Sequence, residues 1–257
     1  MSSETVRSEA TEPAEHHRVM ADGDGGSERL ARFSGAERAL HWATALLVLN
    51  CAITGMILYV DELSTLVGRR ALLKDLHVYG GLLIPVPFVV AYAGRWRDAV
   101  RRDVRTLARW NRADKRWMRS LGRDDTDKVG KFNAGQKANA AFIAGMIPVM
   151  LATGLIMRWF DPFPLSWRTG ATFVHDWTAI ATWLVVAGHI TIALANPPAL
   201  WSMVRGWMPR RYADDHHPTW VRELEPGPDD EPHEADDGVG VPISGPAGLG
   251  GGRDPLR

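Results

Sequence analysis

The sequence predicts an all-α integral membrane protein, a four-helix bundle flanked by two polar tails. Its 257 residues are 46% hydrophobic and 23% charged, but the charges are concentrated at the termini and in one central stretch. Four windows are apolar and long enough to cross a bilayer core, which takes about 20 helical residues. None of them shows the charged face, repeated every three or four residues, that a soluble bundle exposes to water.

The windows divide the chain into three parts. Residues 1–31 form a polar tail with no apolar stretch after a basic start, so they are not a secretory signal and are predicted to be disordered. Residues 32–212 form the transmembrane domain. Residues 213–257 hold 15 Pro or Gly and 11 Asp or Glu in 45 positions, a composition that also predicts disorder. The spans themselves are predicted at residues 37–60, 76–94, 138–157 and 171–196.

The distribution of basic residues predicts the orientation in the membrane. The loop over residues 95–137 holds 14 Lys or Arg, whereas the other two connections hold only Arg69, Arg70, Lys74, Arg158 and Arg168. Because basic residues resist translocation, this loop is predicted to be cytoplasmic. An even number of spans then places both termini in the cytoplasm, at the inner membrane of the cell.

Charge and cysteine usage exclude several classes of function. The 30 basic residues balance 30 acidic ones, so the chain is not a simple polyanion binder, and we expect no nucleic-acid partner. The single cysteine, Cys51, excludes a disulfide framework and an iron–sulfur cluster held by this chain alone. Any such cluster must lie on a partner.

Four histidines lie inside the predicted spans: His41, His77, His175 and His189. The other five lie in or beside the polar tails, where a solvated or incidental role is expected. An ionisable group inside a membrane helix is costly, so it is by default a functional residue. The alternative for each histidine is a hydrogen bond between helices.

Depth in the membrane sorts these histidines into two pairs. His41 and His189 lie near the cytoplasmic side, and His77 and His175 begin the second and fourth spans at the outer side. The 14 residues from His175 to His189 are close to four helical turns, about 21 Å of rise, so both rings face the same way. The sequence thus predicts two stacked sites.

Two imidazoles at each depth, from different helices, match the axial ligands of a six-coordinate haem iron. The main alternative is zinc, which needs three or four ligands and finds only Asp176 beside His175 as a supplement. Arg38 is a candidate partner for a haem propionate, or a charge that sets topology. Small residues near the histidines leave room for a macrocycle, or allow close helix packing: Gly55, Gly80, Gly81, Gly145, Gly154 and Gly188.

The region from about Arg32 to Arg211 resembles the cytochrome b (gamma) subunit of respiratory formate dehydrogenase, a four-helix dihaem membrane cytochrome. The match rests on Arg38, His41 and Trp42, on His77, on the Phe-Asn-Ala-Gly-Gln-Lys run from Phe132 to Lys137, and on the His175 and His189 spacing. Quinone-linked cytochromes of hydrogenases and thiosulfate reductases share the four-helix plan. The Asn-Ala-Gly-Gln-Lys segment favours the formate dehydrogenase type.

The resemblance implies two stacked haems b and a division of labour. A molybdenum- or tungsten-pterin catalytic (alpha) subunit would oxidise formate, and an iron–sulfur (beta) subunit would pass the electrons to this chain. The outer haem, held by His77 and His175, would receive them. The inner haem, held by His41 and His189, would reduce menaquinone. The sequence contains no pterin-binding domain, cysteine cluster or nucleotide motif, so formate oxidation itself belongs to a partner.

The resemblance also places a quinone pocket at Asn133, Gly135 and Gln136. Physical reasoning agrees, because this polar segment at the cytoplasmic start of the third span offers amide donors to a quinone carbonyl and a glycine that admits the ring. The alternative is a helix cap by Asn133. Two other classes of function stay open, namely a non-redox membrane carrier of metal or protons and a purely structural anchor.

Overall fold

The computed structural model describes residues 28–94, 96–123 and 129–225. These residues form eleven helices and one two-stranded antiparallel sheet. In chain order the elements are β1 Arg29–Ala31, α1 Gly35–Tyr59, α2 Asp61–Val67, α3 Arg70–Leu83, α4 Pro85–Ala93, α5 Arg97–Ala108, α6 Arg112–Arg119, α7 Ala134–Arg158, α8 Leu165–Ala195, α9 Pro197–Arg205, β2 Trp207–Pro209, α10 Arg210–His216 and α11 Pro218–Leu224.

Four helical segments are long and apolar enough to cross a membrane, which confirms the four predicted spans. They cover Gly35–Tyr59, Arg70–Ala93, Ala134–Arg158 and Leu165–Ala195. Many of their large apolar side chains are exposed, for example Leu46 at 64% and Leu184 at 71%. In water this surface would be unfavourable, but lipid tails solvate it. The protein is therefore a membrane helical bundle.

Local sequence sets where the spans begin and break. Ser34 caps α1, since its Oγ accepts a hydrogen bond from the Glu37 N–H at 3.3 Å while the Glu37 carboxylate accepts from the Ser34 N–H. The second span divides into α3 and α4 at Ile84, whose N–H bonds the Gly81 carbonyl at 3.2 Å. Pro85 follows and has no N–H to continue the helical ladder.

Contacts between side chains show that consecutive spans run in opposite directions. His41, near the start of α1, lies beside His189, near the end of α8. Thr54, near the end of α1, lies beside His77 of α3. We call the two ends of the bundle the His41 end and the His77 end. Lys131, which precedes α7, contacts Glu37 in the first turn of α1, so the starts of α1 and α7 and the end of α8 are at the His41 end.

The spans begin earlier than the sequence predicted, and this corrects the placement of two histidines. Helix α3 begins at Arg70 and α8 at Leu165, so His77 lies about two turns and His175 about three turns inside its helix rather than at the start. The polar residues that set the predicted limits, including Lys74 and Arg168, occupy the helical turns that precede the apolar part.

The basic segment 95–137 is not a simple loop. Its described residues include helices α5 and α6 as well as the first turn of α7. Lys137 joins α6 to α7, because its buried Nζ donates to both carboxylate oxygens of Asp114, at 2.8 and 3.0 Å, and to the Arg109 carbonyl at 3.0 Å. A buried ammonium group requires such partners. These contacts fix α6 against the His41 end.

The prediction that residues 213–257 are disordered is wrong for their first part. Helices α10 and α11 cover most of residues 210–224, and Ala213, Trp220 and Val221 pack with Leu30 and Met208 in a buried cluster. A short segment with apolar residues precedes the long polar stretch, and the composition of the whole region hides it. Similarly, residues 29–31 of the predicted N-terminal tail pair with β2. The rest of both predicted tails lies outside the described residues.

His217, assigned an incidental role from sequence, is a buried structural residue. Only 4% of its surface is exposed, and its Nδ1 lies 2.8 Å from the Gly130 carbonyl oxygen. A carbonyl can only accept, so Nδ1 carries the proton. Burial, followed by the nearby charge of Arg32, lowers the pKa of His217 to about 4. This side chain ties the C-terminal cluster to the segment that precedes α7.

Candidate functional site

The four span histidines form two facing pairs. The ring centroids of His41 and His189 are 6.3 Å apart, and those of His77 and His175 are 6.2 Å apart. These are the pairs that depth in the sequence predicts. In each pair the two rings come from different spans, and His175 and His189 share α8. One helix therefore contributes to both sites.

These separations fit a single metal ion between the two rings of each pair. An imidazole–metal bond is about 2 Å, and a ring nitrogen lies about 1.1 Å from its ring centroid, so two imidazoles on opposite sides of one iron have centroids about 6 Å apart. Both pairs have this spacing. The donor set also fits, because two imidazoles in trans are the common axial ligands of a low-spin haem.

The hydrogen bonds of Nδ1 define the tautomer of His77. Its Nδ1 lies 3.1 Å from the carbonyl oxygen of Cys51 and 3.2 Å from the hydroxyl of Thr54. The Thr54 hydroxyl donates its own proton to the Asn50 carbonyl at 2.6 Å, so it acts as an acceptor toward the ring. Both partners thus require a proton on Nδ1. The lone pair of Nε2 is left for a metal ion.

His175 has an equivalent arrangement on the opposite side. Its Nδ1 lies 2.9 Å from the Thr153 hydroxyl, which donates to the Val149 carbonyl at 2.7 Å. The ring nitrogen is therefore the donor in this contact as well. Thr153 lies on α7 and Thr54 on α1, so each imidazole of the pair is held by a threonine of another span.

A glycine follows each of these threonines and lies against the same ring. A Cβ added at Gly55 would lie 3.1 Å from Cε1 of His77, and one added at Gly154 would lie 3.5 Å from Cε1 of His175. The first distance is tighter than ordinary contacts between carbon atoms. Glycine therefore lets the helix backbone approach the ring and leaves no side chain that would push the imidazole away.

Sequence reasoning missed the two threonines, although the sequence contains a signal. The tripeptide units Thr54–Met56 and Thr153–Leu155 both read Thr-Gly followed by a large apolar residue. Each threonine precedes the histidine that it contacts by almost the same interval, 23 residues for His77 and 22 for His175. A Thr-Gly pair at this interval before a span histidine is the pattern to search for.

The His41 and His189 pair has different surroundings. Among the described residues no hydrogen bond reaches a ring nitrogen of either histidine. Two buried polar atoms on α1 flank His41 and have no hydrogen-bond partner within the described part of the chain: Nε of Arg38 and Oγ1 of Thr44. Arg38 also donates from Nη1 to the Val204 carbonyl at 2.6 Å. Its unpaired Nε is the kind of donor that a carboxylate such as a haem propionate would satisfy.

The described residues offer no third ligand for zinc. No group of three or more His, Cys, Asp or Glu side chains within residues 28–94, 96–123 and 129–225 is placed to hold a metal ion. Asp176, the supplement considered from sequence, belongs to no such group. A tetrahedral zinc site needs three or four protein ligands or an open position beside three. Two histidines at each site favour a metal ion whose remaining ligands come from a cofactor, as those of a haem iron do.

The polar segment at the start of α7 forms the helix cap that was the alternative interpretation. Oδ1 of Asn133 accepts from the Gln136 N–H at 2.9 Å, and Oε1 of Gln136 accepts from the Asn133 N–H at 3.0 Å. This capping box uses only the carbonyl oxygens of the two amides. Their NH₂ groups take no part in the cap, so capping and hydrogen bonding to a ligand are compatible.

Gly135 admits an aromatic ring, but that ring belongs to the protein. A Cβ added at Gly135 would lie 3.2 Å from Cη2 of Trp117 and 3.3 Å from Oδ1 of Asn133. The indole of α6 therefore packs directly over the first turn of α7. Trp117 thus occupies part of the space beside Gly135 that the sequence predicts for a quinone.

Comparison with known proteins agrees with this architecture. The family model described as prokaryotic cytochrome b561 matches residues 32–206. The chain is 26% identical over 209 residues to the formate dehydrogenase cytochrome b556(fdo) subunit of Escherichia coli (strain K12), a match that covers 77% of this chain and 94% of that protein.

Two further relatives have a similar sequence identity to this chain. The nitrate-inducible formate dehydrogenase cytochrome b556(Fdn) subunit of Escherichia coli (strain K12) is 25% identical over 214 residues, covering 77% of this chain and 93% of that protein. The formate dehydrogenase cytochrome b556 subunit of Haemophilus influenzae is 24% identical over 203 residues, covering 76% and 83%. Because the family match spans all four membrane helices and both histidine pairs, the chain belongs to the prokaryotic cytochrome b561 family.

Proposed function

We propose that this chain is the membrane cytochrome b subunit of a formate dehydrogenase complex. In this role it conducts electrons through two b haems to menaquinone. Family membership supports haem b, and the names of the relatives support the formate dehydrogenase assignment. The observation that supports two haems most strongly is the pair of ring separations, 6.3 and 6.2 Å, each suited to one iron.

The proposed roles of the residues follow from the geometry of each pair. His77 and His175 would hold one haem iron, and His41 and His189 the other. When bound, a bis-histidine haem supplies reversible one-electron transfer. Thr54 orients the imidazole of its histidine before any cofactor binds, and Thr153 does the same on the other side, through the hydrogen bonds at 3.2 and 2.9 Å.

The quinone would bind at the His41 end, beside Asn133, Gly135 and Gln136. The amide N–H groups of Asn133 and Gln136 that the capping box leaves unused would donate to a quinone carbonyl. Trp117, which lies against Gly135, would form a wall of this pocket rather than be replaced by the ligand. The pocket would share its end of the bundle with the His41 and His189 pair.

The orientation of the bundle determines the direction of electron flow. The 14 basic residues between positions 95 and 137 favour a cytoplasmic His41 end, and both termini would lie on that side of the inner membrane. The His77 end would then face outward and receive electrons from an iron–sulfur subunit, itself supplied by a molybdenum- or tungsten-pterin catalytic subunit. Electrons would move inward and protons for the quinol would be taken up inside.

Purification of the complex from its native membrane tests this proposal. We expect the chain to copurify with an iron–sulfur and a pterin-containing subunit, and we expect formate to reduce the b haems and then the quinone. Copurification with a hydrogenase or thiosulfate reductase, and haem reduction by their substrates instead, would assign the same electron path to another complex. A membrane fraction without any reducible b-type absorption would contradict the proposal and favour a carrier or an anchor.

A further inference from the structure

Three charged side chains meet at the His41 end, close to the start of α7. Nζ of Lys131 lies 2.5 Å from Oε1 of Glu37 and 2.8 Å from Oδ1 of Asp103. The three residues come from three elements, since Glu37 is in the first turn of α1, Asp103 is on α5 and Lys131 precedes α7. Both carboxyl groups thus contact the same ammonium group. We call these residues the acid–lysine cluster.

The cluster combines one cation with two acids. Its side chains are largely buried, with exposed fractions of 14% for Glu37, 19% for Lys131 and 20% for Asp103. Two ionised carboxylates on one ammonium group would leave a largely buried net negative charge, whereas one carboxylate, one carboxylic acid and one ammonium group form a neutral set. The cluster is therefore built to hold a proton.

The surroundings of Asp103 agree with this charge state. Burial, followed by the neighbouring carboxyl group of Glu37, raises the pKa of Asp103 to about 7, although the charge of Lys131 acts in the opposite direction. The titratable groups that act on it are thus Glu37 of α1 and Lys131 of the segment before α7. Arg32 touches the cluster only at the backbone, donating to the Lys131 carbonyl at 2.8 Å.

The position of the cluster links it to the redox path. Glu37 is one helical turn before His41, and residues four apart lie on the same face of a helix. Lys131 is two residues before Asn133. Its ammonium group also lies 5.3 Å from the rings of Phe33 and Phe132, which pack against each other. The cluster therefore connects the start of α1, below the His41 and His189 pair, with the amides proposed to bind quinone.

We propose that Glu37, Asp103 and Lys131 form a proton-loading site that supplies the quinone as it is reduced. This inference rests on the proposed function. A quinone takes up two electrons and two protons to become a quinol; a haem held by His41 and His189 would supply the electrons, and the cluster would supply the protons. Each transfer breaks a carboxyl O–H bond and forms an O–H bond on a quinone oxygen. The carboxylate then regains a proton from water at the cytoplasmic surface.

Lys131 has a distinct task in this scheme. Once a carboxyl proton has left, two carboxylates face each other, and the ammonium group at 2.5 and 2.8 Å limits their repulsion until a new proton arrives. Without Lys131 the acids would hold their protons too tightly to release them at neutral pH. An ion pair that only joined α1 to the segment before α7 would need no second acid.

The test uses conservative variants of the complete complex. Asp103→Asn and Glu37→Gln keep size and hydrogen-bonding capacity but remove the acid, and a glutamine at position 37 can still complete the capping box with Ser34. Asp98→Asn is the matched control, because Asp98 is on the same helix and 72% exposed. Haems reduced by formate are mixed with a soluble naphthoquinone, and haem oxidation is followed by stopped flow at pH values on both sides of 7.

For the wild type and Asp98→Asn we expect oxidation to slow as the pH rises through about 7. Asp103→Asn should be about tenfold slower or more on the acid side and should lack this inflection, and Asp103→Glu should restore it. Infrared spectra of the complex should contain a protonated-carboxyl band that titrates in the wild type and is missing from Asp103→Asn. Haem content and the rate of haem reduction by formate should be unchanged in every variant.

Other results would overturn the proposal. If Asp103→Asn and Glu37→Gln oxidise their haems at the wild-type rate with the wild-type pH profile, the cluster is a structural ion pair. If their rates fall only in proportion to lost haem, the cluster supports the fold and not proton supply. If the wild-type complex reduces its haems with formate but never passes electrons to a quinone, the proposed function itself fails, and this inference fails with it.

Discussion

The hydroxyl of Thr153 lies 2.9 Å from Nδ1 of His175, with its own proton donated to the Val149 carbonyl at 2.7 Å. The imidazole must therefore be the donor in this contact, which leaves Nε2 as the free ligand atom. Thr54 constrains His77 in the same way. The His77 and His175 pair is thus pre-oriented by the protein, whereas His41 and His189 receive no such hydrogen bond from the described residues.

Removal of the Thr153 hydroxyl should change the midpoint potential of the haem proposed between His77 and His175 without releasing that haem. A hydrogen bond from Nδ1 makes an imidazole a stronger donor to oxidised iron, so Thr153→Val should raise the midpoint potential of this haem by tens of millivolts. A redox titration followed in the visible spectrum measures this. Thr182→Val is the control, because the Thr182 hydroxyl bonds the Thr178 carbonyl on α8. An equal shift of the midpoint potential in Thr182→Val would show that Thr153 has no specific effect.

A side chain at position 55 should displace His77. Since a Cβ there would already lie 3.1 Å from Cε1 of the ring, Gly55→Val should lower the haem content from two per chain to one. The haem between His41 and His189 should remain. Gly170→Ala on α8 is a suitable control, because no atom lies within 4 Å of a Cβ placed there. Two haems per chain in Gly55→Val would show that the ring can move aside.

The two roles of Gln136 can be separated by substitution. Gln136→Glu keeps the oxygen that completes the cap with Asn133 but loses the amide donor, whereas Gln136→Ala loses both. Loss of one oriented donor typically costs about 2.7 to 4 kcal/mol, so quinol formation should slow by about a hundredfold to a thousandfold in Gln136→Glu. Both haems should still be reduced by formate. A full rate in Gln136→Glu and a slow one in Gln136→Ala would restrict Gln136 to capping.

Acid should loosen the C-terminal cluster through His217. The pKa of His217 is lowered from 6.5 to about 4, so its contribution to stability is present above pH 6.5 and is lost as the pH falls through 4. The loss is about 3 kcal/mol at most. Hydrogen exchange of the α11 amides should therefore accelerate with acid beyond its intrinsic pH dependence. His217→Gln should abolish this effect, and His216→Gln, at an exposed neighbour, should retain it.

The sequence predicted the features that depend on long patterns. The four spans follow from apolar windows longer than any strand or surface helix requires, and the proximity of His41 to His189 and of His77 to His175 follows from their depths. Predictions from such patterns stay correct even when the helix ends are misplaced by several residues. Helix α3 begins six residues before the predicted limit, and His77 still faces His175.

Features that depend on single contacts between distant residues could not be predicted in this way. The hydrogen bond of Thr54 to His77 needs the register of α1 against α3, and the cluster of Leu30 with Met208 and Trp220 joins segments separated by the whole membrane domain. The acid–lysine cluster unites three elements in the same manner. Composition describes each segment alone, so it missed the folding of residues that are stable only through such contacts.

The haem content and redox spectrum of the purified complex, for the wild type and for His77→Ala and His41→Ala, test the two proposed haem sites most directly. We expect two low-spin, bis-histidine b haems per chain. We also expect His77→Ala to remove one spectral component and His41→Ala the other, in protein whose helical circular dichroism is unchanged. One haem per chain in the wild type, or the loss of the same component in both variants, would contradict the proposal of two haem sites.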